Sequence, residues 1–232
     1  MNFLSEGKYR INLLQCRPLQ VRGTENTVLP EIQAAAVERI VEAHGAIIGT
    51  SRLLRLDRFI YVVPRLYGKL PLKERYEIAR LLGRLNHATP RESSTTMLLG
   101  PGRWGTFSPD LGVPVHFSEI SQVSVLCEIV TMRENLIPDV SLGTHFLNEL
   151  VETDILYMAL FPQQETNYLN EDFFLNAPNR LPDAVADGAK WQEVVRVIDT
   201  RDLLAEGQAV LLLADASQQK AQIFVHDVAA SE

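Results

Sequence analysis

The chain has 232 residues, 46% hydrophobic and 22% charged, with a formal net charge of −7. This is the ordinary composition of a soluble globular protein, long enough for one large domain or two small ones with a substantial core. No apolar run approaches the ~20 residues needed to cross a bilayer, which excludes a membrane-spanning helix.

The opening "MNFLSEGKYR" lacks a basic-then-apolar signal pattern. Cys16 and Cys127 lie in apolar, strand-like runs and are expected as buried reduced thiols of a cytoplasmic protein. Charge is unevenly spread. Residues 1–105 carry 16 Lys and Arg against 9 Asp and Glu, whereas residues 106–232 carry 6 against 20. A basic half can mean nucleic acid, but no nucleic-acid motif accompanies it. Arg75, Glu77, Arg80 and Arg84 read instead as a solvated helix face, with an anionic small ligand as the other use for the arginines.

In chain order, "YRINLLQCRPLQV" (9–21) is β-type. "NTVLPEIQAAAVERIVEAHG" reads as a helix opened by Pro30, with Ile32, Ala36, Val37, Ile40 and Val41 at helical spacing and Gly45 as its stop. "RLDRFIYVVP" (55–64) is a strand closed by Pro64. Residues 71–88 form an amphipathic helix carrying Leu72, Tyr76, Ile78, Ala79, Leu82 and Leu85. "STTMLL" is a strand feeding a glycine loop. Residues 121–132 are a central strand, apolar on both faces in part. Residues 143–152 form a short helix and 154–161 a strand. A long loop spans 162–190, with a helical turn at "NEDFFL". "EVVRVID" and a closing β-hairpin, "QAVLLLADAS" with "QKAQIFVHD", complete the pattern. Interleaved strands and helices predict an α/β or α+β fold, a mixed sheet with flanking helices and a C-terminal hairpin.

The glycine loop is "LLGPGRWGT" (98–106). Gly100, Gly102 and Gly105 fit G-x-G-x-x-G, but Pro109, Gly112 and Pro114 follow where a dinucleotide site needs a helix. Gly100 and Gly105 also frame a P-loop, but Thr106 stands where lysine belongs. The residues still suit an anion. Glycine amides can form a nest, Arg103 can clamp a phosphate or carboxylate, and Trp104 can stack on a ring. The alternative is a tight structural turn with Trp104 buried and Arg103 on the surface. A second candidate, Gly143-Thr144-His145, stands at a helix start, where amides and dipole favour anions. Thr144 is also a natural N-cap, and His145 a weak candidate for proton transfer. His44, His87, His116, His145 and His226 are scattered without metal spacing.

The strand end "INLLQCRPLQ" resembles the last strand of the ATP-grasp region in phosphoenolpyruvate synthase and pyruvate, phosphate dikinase. "LLGPGRWGT…LGVPVHFSEIS…SLGTHFLNEL" is similar to a region downstream of that ATP-grasp in synthase-like bacterial proteins. The resemblance covers about the first 20 residues and 95–161. It implies that Gln15 and Arg17 line a nucleotide site, with ATP and magnesium as cofactors. It divides the chain into a segment 1–22, similar to the end of the ATP-grasp, and an α/β domain, 23–232.

The family's magnesium carboxylate would fall near Met1–Phe3, where the nearest acid is Glu6. The remaining ATP-grasp elements, the phosphohistidine domain and the catalytic barrel are not in this sequence. The resemblance therefore implies a fragment or partner subunit that binds ATP or a phosphorylated or carboxylate metabolite. ATP-dependent phosphotransfer would require a partner chain carrying the rest of the ATP-grasp. The alternative is a non-catalytic regulatory module sensing an anionic metabolite. Neither membrane nor nucleic acid is an expected partner.

Overall fold

The computed structural model describes residues 2–3, 9–10, 38–131, 140–142 and 144–228. Two short strands, β1 (Asn2–Phe3) and β2 (Tyr9–Arg10), pair antiparallel. Then follow β3 (Glu38–His44), β4 (Ile47–Ile48), β5 (Arg52–Leu56), β6 (Arg58–Val62), α1 (Pro64–Tyr67) and α2 (Leu72–Ala88). The middle of the chain forms β7 (Thr96–Pro101), β8 (Arg103–Trp104), β9 (Gly112–Val113), β10 (Val125–Ile129), α3 (His145–Glu152) and β11 (Leu156–Leu160). The last third holds β12 (Tyr168–Leu169), α4 (Glu171–Asn176), α5 (Leu181–Ala184), α6 (Gly188–Trp191), β13 (Val195–Asp199), β14 (Gln208–Asp215) and β15 (Lys220–Asp227).

Two large sheets result. One has the order β13-β6-β7-β10-β11-β4, with β6, β7, β10 and β11 mutually parallel and the two edge strands antiparallel. The other, β12-β3-β15-β14-β5, is antiparallel throughout and contains the expected C-terminal hairpin. Strand alternation divides the core in two. Ile60, Val62, Leu98, Leu126, Tyr157 and Ala159 face α2 and α3 in one cluster. Phe59, Tyr61, Met97, Leu99, Cys127 and Met158 meet Val210, Leu212 and Ile223 of the second sheet in the other. The architecture is helices, mixed sheet, antiparallel sheet: an α/β fold with a second β layer. β10 lies between β7 and β11 with all five residues buried, as expected of a central strand.

The expected helix leading to Gly45 is corrected over its described part, since 38–44 is β3. Its partner β15 shifts register between Ile223 and Phe224, which pair with Val41 and Arg39 and pass over Ile40. The bulge turns Ile40 and Val41 both inward, and this doublet imitates helical spacing. Gly45, at φ 87°, ends the strand in a tight turn. Pro64 begins α1 rather than only closing a strand, because its missing N–H is not needed at a helix start. The expected loop at 162–190 contains β12, α5 and α6 besides the anticipated turn, now α4. Residues 11–37, most of the expected first strand and the boundary near 22 lie outside the described residues.

The solvated helix face is also corrected in part. Arg75 is only 6% exposed. Its guanidinium donates to the carbonyls of Gly68, Leu70 and Pro109 at 2.8–3.0 Å and to Asp110 Oδ1 at 2.8 Å. It ties the α1–α2 turn to the loop before β9. Among the described residues no helix is long and apolar enough to cross a membrane.

Candidate functional site

β7 delivers the glycine loop to the carboxyl end of the parallel strands, the end where open α/β sheets hold ligands. Each glycine there answers a packing demand. A Cβ on Gly100 would lie 2.9 Å from Val62 Cβ and 3.0 Å from the Trp104 ring. Gly102, at φ 61°, sits against the carbonyl of Leu111. Gly105, at φ 69°, is covered by the ring of Phe146 from α3.

The amides are engaged as well. Gly102 N–H donates to Ile129 O at 2.8 Å, Arg103 N–H to Leu111 O at 2.9 Å and Gly105 N–H to Val113 O at 3.1 Å. Trp104 N–H donates to Glu128 Oε1 at 3.1 Å. An amide has one proton to give, so the expected glycine nest is corrected: the loop is a structural turn. Trp104 is 1% exposed and its indole donates to Cys127 O at 3.1 Å. It anchors the loop and is not placed to stack on a ligand.

The second candidate forms as a helix start. Thr144 Oγ1 accepts from Leu147 N–H at 3.3 Å and donates to Ser141 O at 2.7 Å, making Thr144 the N-cap of α3. His145 is the first helical residue and is exposed. Gln15, Arg17 and Gly143 lie outside the described residues.

The two loops meet. Gly105 and Thr106 share a cleft of about 570 Å³ with His145, and Arg80, His116 and Glu149 also line it. This volume suits a small metabolite. Tyr76, Phe107 and Phe117 add aromatic surface, and Phe107 is 99% exposed at the rim. Arg80 reaches the cleft while paired with Glu119 Oε1 at 2.8 Å and donating to Pro114 O at 3.1 Å. Gly100, Gly102, Arg103, Trp104 and Thr144 do not line it. A second, more polar cleft of about 470 Å³ contains Arg55, Arg58 and Arg201. There Arg58 is bound to Asp199 at 2.6 Å, and Arg201 lies 3.6 Å from the same carboxylate.

Sequence reading passed over Glu128. It is completely buried in β10 and accepts four hydrogen bonds. Burial pushes its carboxyl above the usual range, against the pull of donors from Ser141, Tyr157 and Trp104. The signal was available: an acid inside an apolar central strand needs an explanation. Arg80 was singled out only as part of a solvated face, and His116 only as one of five scattered histidines. No sequence spacing brings those two to His145. Among the described residues, no group of three or more His, Cys, Asp or Glu could hold a metal ion. No family model, curated protein or solved structure matches the chain.

Proposed function

We propose that the chain binds a small phosphorylated or carboxylate metabolite in the cleft between the glycine loop and α3. In this reading it is a phosphoenolpyruvate synthase-like subunit or fragment, and any ATP-dependent phosphotransfer is completed by other chains. The observation that carries the proposal is the convergence of Thr106 and His145 on one metabolite-sized cleft at the carboxyl end of the parallel strands. Two imidazoles and the Arg80 guanidinium offer donors to an oxyanion, and the first turn of α3 adds its dipole. The aromatic surface excludes water from one side of the ligand. Glu149 opposes a high negative charge, which favours a small anion over a polyphosphate.

Titration calorimetry with phosphoenolpyruvate, pyruvate, inorganic phosphate and magnesium ATP tests this. Binding of phosphoenolpyruvate or phosphate that weakens at least tenfold in His145→Ala and His116→Ala is expected. Affinity unchanged in both variants, or no uptake of any of the four, overturns the proposal.

A further inference from the structure

We infer that Glu128 is the positioning residue of the cleft, a buried carboxyl group that fixes its two walls relative to each other. The inference rests on reading the cleft as the ligand site. Glu128 lies in β10 with Gly100 of β7 beside it on one side and Ala159 of β11 on the other. Oε1 accepts from Trp104 N–H at 3.1 Å and from Ser141 Oγ–H at 2.5 Å. Oε2 accepts from Ser141 N–H at 2.9 Å and from Tyr157 Oη–H at 2.7 Å.

Trp104 immediately precedes Gly105 and Thr106, which form one wall. Ser141 carries the other: its carbonyl accepts from Thr144 N–H at 3.2 Å and from Thr144 Oγ1–H at 2.7 Å, and His145 follows. One carboxyl group thus joins two segments that meet nowhere in sequence. Two of its four partners are backbone N–H groups, which can only donate. A carboxyl group presents an acceptor oxygen to each, whereas a glutamine must turn its NH₂ toward one of them. Stability alone does not call for this arrangement, because replacing buried hydrogen-bonded partners by apolar groups of the same shape can be nearly neutral. What it supplies is a fixed relation between the walls.

The test uses Ser141→Ala and Glu128→Gln, with Leu212→Ala as a control in the core between the sheets. Amide hydrogen exchange on the ligand-free protein reads the joint directly. In both Ser141→Ala and Glu128→Gln, exchange is expected to accelerate at least tenfold at 102–106 as well as at 144–150, while α2 retains its protection. Acceleration confined to 140–150 in Ser141→Ala overturns the inference, since the altered side chain belongs only to that segment, and so does unchanged exchange at 102–106 in Glu128→Gln. Phosphoenolpyruvate is the ligand probe. Its affinity is expected to fall at least tenfold in Ser141→Ala and to hold in Leu212→Ala at comparable loss of Tm; equal losses in both also overturn the inference. If the unaltered protein takes up none of phosphoenolpyruvate, pyruvate, inorganic phosphate and magnesium ATP, the proposed function fails, and the exchange result still decides the role of Glu128.

Discussion

The ring of Phe146 lies where a side chain on Gly105 would project: a Cβ there would sit 2.7 Å from Phe146 Cε2. This contact docks the first turn of α3 onto the glycine loop. Phe146 also meets Phe117 edge-to-face, with ring centroids 6.3 Å apart, so the same ring shapes the cleft floor. Gly105→Ala combines a positive φ of 69° with this collision. The expected loss is about 2–4 kcal/mol, from backbone strain and overpacking together. Denaturant unfolding measures it, and a loss below about 0.5 kcal/mol would show that the ring moves aside freely.

Arg75 makes a second prediction. Its side chain is 7% exposed and satisfies three carbonyls and Asp110 from one planar group. Lysine cannot reproduce that fan of donors. Arg75→Lys is expected to cost about 2–3 kcal/mol by leaving buried carbonyls unpaired. Asp110→Asn, at a carboxylate 65% exposed, should cost little, because exposed ion pairs contribute about 0–1 kcal/mol. Comparable losses in the two variants would mean that the ion pair, and not the carbonyl fan, holds the loop.

Elements whose signal is local were legible in the sequence. α2 follows the apolar spacing of 71–88 almost to the residue, the strands β10 and β11 fall within their apolar runs, and β7 overlaps its run but continues through Gly100 and Pro101 into the expected loop. β3 was not legible, since its doublet of inward residues depends on a bulge against β15, some 180 positions later. The glycines marked the correct loop for the wrong reason. Gly100, Gly102 and Gly105 are small because Trp104, Leu111 and Phe146 crowd them, and those contacts are tertiary. The uneven charge also resolves only in three dimensions. Arg52, Arg58, Arg75, Arg80 and Arg84 of the basic half pair with Asp154, Asp199, Asp110, Glu119 and Asp187 of the acidic half. Glu128 stood out only as a charge in an apolar strand; its partners Ser141 and Tyr157 lie 13 and 29 residues away.

Cys127 is fully buried, and burial, with Glu128 beside it, pushes its thiol well above the ordinary range. In a Cys16→Ser background, a thiol reagent should label Cys127 only as fast as the core opens. Labelling at the rate of a free thiol in native buffer would contradict the packing of β10.

Glu42 ties acid sensitivity to the second sheet. Burial raises its carboxyl pKa, but hydrogen bonds from His44 and Arg39 and the charge of Lys220 outweigh burial and hold it at about 2, below the ordinary 4.5. The partners lie 3.1, 2.6 and 3.4 Å away, on β3 itself and on β15. Because the folded value is depressed, the folded state prefers the ionised form, and the stabilisation is complete above the unfolded value. It declines as pH falls from about 4.5 toward about 2. The Tm difference between the unaltered protein and Glu42→Gln should therefore be largest at about pH 5 and above, and nearly close by about pH 2. A difference that stays constant over that interval would mean the carboxylate gains nothing from its partners. Equal sensitivity in Asp227→Asn, at the exposed end of β15, would place the effect in general surface charge instead.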